Sequence, residues 1–225
     1  MNLLLIPCVL ALRGLLGNAP QAIDVPVDVG VGPTANFFSG PVGADQLVHS
    51  GIRLDIAGVI DAATIRAHAA DIPAEYRGPA ESFQEIRYSP CILIPDQLFL
   101  SPMFKDTAMY GVGWKPFEVA LAPIRSQTVR LDLGAGLLVT YIYLYSRALA
   151  APETNFLRPG AGLRAELTVA LGKSLLVSGG WESQFYPPQA LGAPVFSWGP
   201  LDQSIWHIGQ AFVMLHGRFP HRTVL

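Results

Sequence analysis

Most of the side chains in this 225-residue chain that could do chemistry are arginines and carboxylates set into apolar sequence. Arg53, Arg130 and Arg164 are accompanied by Asp55, Asp132 and Glu166, while Asp24, Asp28 and Glu182 stand in similar surroundings. The chain holds 12 Arg against 3 Lys. Arginine is the residue suited to buried ion-pair networks, because its planar fork binds a carboxylate through two parallel hydrogen bonds. A nucleophile is harder to find. Ser178 is followed by Gly179 and Gly180 but preceded by Leu176 and Val177, so the G-x-S-x-G spacing of a nucleophile elbow is absent. His207, His216 and His221 lack the spacing of a zinc site, and nothing in the sequence pairs them with a serine. No catalytic, cofactor-binding or metal-ligating residue is assigned, and no cofactor is expected.

One glycine-rich count also fails on physical grounds. Gly30, Gly32 and Ala35 satisfy G-x-G-x-x-A after an apolar run, and Asp55 lies 25 residues after Gly30. A dinucleotide loop needs a following helix whose amino terminus faces the ligand. Residues 36–50 contain Gly40, Pro41 and Gly43 instead.

The elements that carry the charges read as strands. From Thr128 to Ser146 the odd positions are Val129, Leu131, Leu133, Ala135, Leu137, Val139, Tyr141, Tyr143 and Tyr145. The even positions include Arg130, Asp132, Gly134, Gly136 and Thr140. This is period two, and a run of this length would extend roughly 60 Å at about 3.3 Å per residue. The same alternation predicts strands over 23–37, 52–60, 161–171 and 175–185, the last two joined by a tight Gly172-Lys173 turn. A strand near 109–124 changes parity at Pro116, where a bulge would restore register. A strand somewhere in 83–102 and a final one near 205–219, with Trp206, Ile208, Phe212 and Met214 on one side, bring the total to eight.

Alternation does not by itself say which face is wet. The polar face is mostly Gly, Ser, Thr and isolated charges, poor cover for a water-facing sheet but suited to a narrow interior. On that orientation Asp24, Asp28, Arg53, Asp55, Arg130, Asp132, Arg164, Glu166 and Glu182, with Arg218, line a lumen and neutralise one another. Tyr141, Tyr143 and Tyr145 on one strand, with Phe185 and Tyr186 at the matching end of another, form an interfacial aromatic girdle. Long Pro- and Gly-rich connections at 39–47, 101–107, 147–160 and 187–204 fall on one side. Short turns at 123–127 and 172–173 fall on the other. The exception is 61–82, where Asp61 can cap a short helix over Ala62–Ala70 that ends before Pro73.

Composition agrees with an apolar surrounding. Only 14% of residues are charged and 51% are hydrophobic, against roughly 25% charged in ordinary soluble domains. The net charge of −2 with no basic patch excludes a nucleic-acid footprint. The apolar run from Met1 to Leu12 followed by small residues at 17–22 reads as a secretory signal, leaving a single domain over 23–225. Cys91 alone would then remain, so no internal disulfide is expected. No segment reaches the roughly 20 apolar residues of a spanning helix.

This pattern of hairpin spacing, alternating faces, aromatic ends and short inner turns resembles the small eight-stranded outer-membrane barrels of bacteria, of the OmpA transmembrane-domain and OmpX type. The carboxyl end differs from their usual terminal Phe, since Phe219 is followed by six more residues. The resemblance implies an all-β, antiparallel, up-and-down transmembrane barrel with a short helical periplasmic insertion. It also implies a bacterial outer-membrane location, membrane lipids as surroundings, and a structural or partner-binding role rather than catalysis. Two alternatives remain open: a soluble lipocalin-like barrel with an apolar ligand, and a barrel-embedded lipid-modifying enzyme.

Overall fold

The computed structural model describes residues 22–24, 26–39, 48–58, 86–90, 97–104, 107–146, 153–187, 205–220 and 222–224. The proposed signal segment up to residue 21 and the insertion with its predicted helix lie outside the described residues. The described residues form strands β1 (Ala22–Asp24), β2 (Val27–Ser39), β3 (Val48–Gly58), β4 (Ile86–Pro90), β5 (Gln97–Phe104) and β6 (Thr107–Arg125). They continue as β7 (Val129–Ser146), β8 (Glu153–Ala170), β9 (Leu175–Tyr186), β10 (Trp206–Phe219) and β11 (Arg222–Val224). No described helix is long and apolar enough to cross a membrane.

Pairing closes the main sheet on itself. Each of β6 to β10 pairs antiparallel with the next, β10 returns to β2, and β2 continues to β3. Strands β4 and β5 occupy the same edge of β6: β5 pairs along Thr107–Gly113 and β4 along Phe117–Leu121. They are two pieces of one interrupted stave, and β5 also meets β3. The ring therefore has eight staves, and the weakly patterned region 83–102 yields two short strands where one was expected.

Proline explains the departures from regular pairing. The register of β6 on β7 shifts between Trp114 and Phe117 and again between Leu121 and Ile124. Pro116 and Pro123 sit in those two intervals, and neither can donate to a ladder. The predicted first strand from Ile23 is likewise divided. Ala22–Asp24 forms a separate ribbon with Arg222–Val224, while the barrel stave begins at Val27 opposite Phe219. Asp24 faces Arg222 in that ribbon. The same spacing sets Pro26 against Pro220, so no hydrogen bond can be donated from either side there. Asp24 accordingly belongs to the ribbon and not to the barrel wall, contrary to its expected place in the lumen.

Side-chain polarity runs inverse to that of a soluble protein. Leu133, Leu137, Leu163, Leu167, Val213, Leu215, Val31 and Ile52 all face outward and are exposed. Along β7 to β10 the outward positions in 131–143, 157–169, 175–185 and 207–215 include no Asp, Glu, Lys or Arg. From Leu131 to Tyr143 the outward residues extend about 40 Å along the strand, or about 30 Å in height at the roughly 40° tilt of such barrels. That matches the hydrocarbon layer of a bilayer, about 30 Å thick. Soluble monomers rarely expose contiguous apolar patches beyond a few hundred Å², and this one extends over the described outer faces of β2, β3 and β6 to β10. The barrel is a membrane-spanning one.

Strand β10 keeps the expected division of faces, and the structure gives it a direction. Its apolar even positions, Trp206, Ile208, Phe212 and Met214, are all buried inside, while Val213, Leu215 and Phe219 face out. Both faces of this strand carry large apolar residues, so its alternation carries little information about orientation. Register with β2 and β9 decides it.

Candidate functional site

The interior is where charge gathers. Arg53 on β3 is 2% exposed and donates through Nε to both oxygens of Asp55, at 2.8 and 2.9 Å. In a strand, residues two apart share a face, so the pair is local. The other end of Arg53 reaches across the lumen, with Nη2 2.7 Å from Glu182 Oε2 on β9. Its guanidinium also lies 4.7 Å from the centre of the Phe212 ring, a cation–π contact.

Glu182 is wholly buried and is shared. Its Oε1 lies 2.9 Å from Lys115 Nζ, and Lys115 in turn donates to Glu118 Oε2 at 3.3 Å. Arg164 pairs with both Glu118 and Glu166. The chain of contacts runs Asp55, Arg53, Glu182, Lys115, Glu118, Arg164, Glu166 and crosses staves β3, β9, β6 and β8. Two further pairs stand nearer the turn end. Arg130 Nε donates to Asp132 at 2.6 Å, and Arg218 grips both oxygens of Asp28 at 2.7 Å.

Of the predicted lumen residues, Asp28, Arg53, Asp55, Arg130, Asp132, Arg164, Glu166 and Glu182 are thus placed in ion pairs inside the barrel. Lys115 and Glu118 were missed. They flank Pro116 and sit three residues apart, so simple alternation assigns them to opposite faces. The bulge around Pro116 brings both inward.

Toward the end bearing the long connections, amides, hydroxyls and apolar groups predominate, with the buried Arg158 on β8 opposite Thr140. Gln210 Nε2 donates to Asn36 Oδ1 at 2.8 Å, and Gln184 Nε2 reaches Gln210 Oε1 at 3.3 Å. Tyr186 is 1% exposed, with its hydroxyl 2.7 Å from Gln184 Oε1 and 2.8 Å from Thr140 Oγ1. Tyr186 is therefore an interior residue and not part of the girdle. Even parity on β9 points it into the lumen, one position past the outward Phe185. Beside it lie the buried Leu138, Ile142, Phe38, Ile208 and Trp206.

The outward aromatics do cluster near that end. Tyr141 and Tyr143 are half-buried on the outer wall, and Tyr141 Oη donates to Asn155 Oδ1 at 2.6 Å. Tyr145 belongs to the same stave, opposite Glu153. Phe185 stacks on His207 with centroids 4.8 Å apart, and Trp181 meets Phe37 at 5.3 Å. Gly209 makes room for that indole, because a Cβ there would lie 2.4 Å from Trp181 Cζ2.

One pairing that no spacing rule announces joins Ser178 and His216. Ser178 Oγ lies 2.7 Å from His216 Nε2, and Glu166 Oε1 is 3.7 Å from that same nitrogen. In a nucleophilic triad the serine and the acid engage opposite ring nitrogens. Here both approach Nε2, while Nδ1 lies against Gly30, where a Cβ would stand 2.3 Å away. The arrangement serves as interior packing with a satisfied hydroxyl.

No protein-family model matches the sequence, and no curated protein matches it. Solved structures with a similar chain path include Neisserial surface protein A at 11% identity and TM-score 0.47, covering 86% of this chain and 97% of the other. The attachment invasion locus protein Ail of Yersinia pestis is similar at 9% identity and TM-score 0.42, covering 87% and 99%. The N-terminal β-barrel domain of Pseudomonas aeruginosa OprF is similar at 8% identity and TM-score 0.38, covering 88% and 100%. The class itself rests on this chain's own geometry, a closed ring with an apolar exterior and ion pairs within. Its particular form is a small eight-stave antiparallel barrel, the architecture of small outer-membrane proteins.

Proposed function

We propose that this chain is a bacterial outer-membrane barrel with a structural or partner-binding role, working through the long connections at one rim and not through a pore or a catalytic centre. The observation that supports this reading is the filled interior. Side chains from facing staves meet in ion pairs and amide hydrogen bonds across the lumen, as expected of eight strands, which leave little room for free diffusion. Binding then falls to the connections, where chain is least constrained by the ladder. A lipocalin-like carrier would need a wet exterior and an apolar ligand cavity, and the leucine-rich wall favours the membrane reading. A lipid-modifying enzyme would need its nucleophile on the lipid face, whereas Ser178 is 2% exposed and faces inward.

Fractionation of cells expressing the full chain tests the location. The protein should remain with outer membranes through a carbonate wash and migrate differently on gels before and after boiling. Release into the soluble fraction would sink the proposal. In planar bilayers the purified protein should give no steady open-pore current, and a large ohmic conductance would refute the filled interior.

A further inference from the structure

At the short-turn end the interior opens into a vestibule of about 240 Å³, and His216 on β10 is part of its lining. We infer that His216 is a proton-operated latch: once protonated, it joins Glu166 and extends the ion-pair network onto β10. Three observations lead there. The first is a divided carboxylate. Glu166 on β8 gives Oε2 to Arg164, while its Oε1 stands 3.7 Å from His216 Nε2. In the neutral ring that nitrogen is hydrogen-bonded with the Ser178 hydroxyl at 2.7 Å. A protonated ring carries N–H at both nitrogens and a full charge, so the approach to Glu166 becomes an ion pair.

The second observation is that the ring is held where it stands. Gly30, its cross-strand partner on β2, leaves the space that Nδ1 fills, and Ser178 on β9 holds the other side. The third is how the surrounding charges are engaged. Arg218 on β10 itself is gripped by Asp28 on β2, and Arg53 by Asp55 on β3. On β8, Arg164 is shared by Glu118 and Glu166. On β9, Glu182 is paired with Arg53 and Lys115. Across the vestibule, Arg130 on β7 pairs with Asp132 and Lys115 on β6 with Glu118, while Arg125 stands exposed at the rim. The cations nearest the ring thus have carboxylates of their own, and Glu166 is the acid set within reach of it. The network that runs from Asp55 to Glu166 then gains β10, and Gly30 on β2 lies opposite both His216 and Asp55. Acid therefore tightens the inner half of the barrel. This inference does not require the outer-membrane reading, because the contact is formed by the barrel interior whatever surrounds the wall.

The test uses the full chain refolded in a neutral detergent. Urea unfolding is followed by tryptophan fluorescence at fixed ionic strength from about pH 8 to about pH 5.5, either side of the ordinary histidine value near 6.5. The contact with Glu166 is present while the ring is charged and is lost as rising pH discharges it. Relative to His216→Gln, the folded-to-unfolded ratio of the wild type should therefore gain about tenfold on acidification, the contribution of one charge-assisted hydrogen bond. Glutamine keeps a polar partner for Ser178, and the comparison cancels the other groups that titrate in this range. Glu166→Gln should abolish most of the gain. His207→Gln, on the outer wall, should leave it in place. An equal pH response in wild type and His216→Gln would overturn the inference, as would a gain that survives Glu166→Gln in full. If either variant fails to refold, NMR of the wild-type chain with ring-labelled histidine decides, the His216 signal being assigned through its contacts with Ser178 and Gly30. A signal that titrates across this range is expected, and one that stays fixed would overturn the inference.

Discussion

The two halves of the barrel interior are built on different physics. Toward the long connections, Leu138, Ile142, Phe38, Ile208 and Trp206 fill the lumen much as they would fill a soluble core. Toward the short turns, six cations and six carboxylates gather around a vestibule. Apolar filling is forgiving, because each contact contributes a little and a lost group leaves a void. Ion-pair filling is not, because every buried charge depends on a particular partner. The comparison teaches that the period-two pattern sets which way a side chain points, while height along the stave sets what kind of side chain is tolerated there.

The sharpest way to break this comparison is to remove the acid shared by two cations. Glu182→Leu leaves Arg53 and Lys115 competing for Asp55 and Glu118 alone, and should cost about 3–5 kcal/mol, the usual price of orphaning a buried ion. Urea unfolding from lipid vesicles measures it. Adding Arg53→Met should recover part of the loss, and a double variant no better than the single one would mean that the network is not coupled. In the apolar half, Ile142→Ala should cost about 2–4 kcal/mol through lost burial and the void it leaves, with no partner substitution able to restore it. If Ile142→Ala were neutral, the outer half would be loosely filled and the contrast would fail.

The exterior provides the next test. Leu163 is 55% exposed at the middle of β8, and Leu163→Arg should cost about 2–4 kcal/mol if hydrocarbon surrounds it. On a water-facing wall an exposed substitution of this kind stays within about 0.5 kcal/mol. Vesicle unfolding separates the two, and the smaller figure would place the wall in water.

Much of this was legible in the residues. The stave from Val129 to Ser146 and the hairpin around Gly172 follow from alternation alone, and eight of the nine charged lumen residues sit where parity puts them. Parity fails where a residue is inserted or where both faces share one chemistry. Lys115 and Glu118 were hidden by the bulge at Pro116, a displacement that proline announces without saying how the register resumes. Trp206, Ile208, Phe212 and Met214 share one side by alternation, yet only the pairing of β10 with β2 and β9 fixes which way that side points. Ser178 and His216 lie 38 residues apart, and no spacing rule links them before the staves are aligned. Asp24 shows the reverse error: its alternation was genuine, but Pro26 ends the barrel ladder ahead of it.

Tyrosine gives the finest test of the two environments, because the chain holds one on each side of the wall near the same rim. The Tyr186 hydroxyl has a single proton. Gln184 Oε1 can only accept, so Tyr186 donates to it and receives a hydrogen bond from Thr140 Oγ1 in return. Tyr186→Phe strips both partners of a bond in a space that excludes water, and should cost about 1–2 kcal/mol. Tyr141 also donates to an oxygen, that of Asn155, but from the outer wall where the rim is half-solvated. Tyr141→Phe should therefore stay within about 0.5 kcal/mol, because water or headgroups can take the place of the lost hydroxyl. Vesicle unfolding of the two variants side by side reads the difference directly. Equal losses would mean that the phenol of Tyr186 is wet, and with it the polar layer that separates the apolar half of the lumen from the charged one.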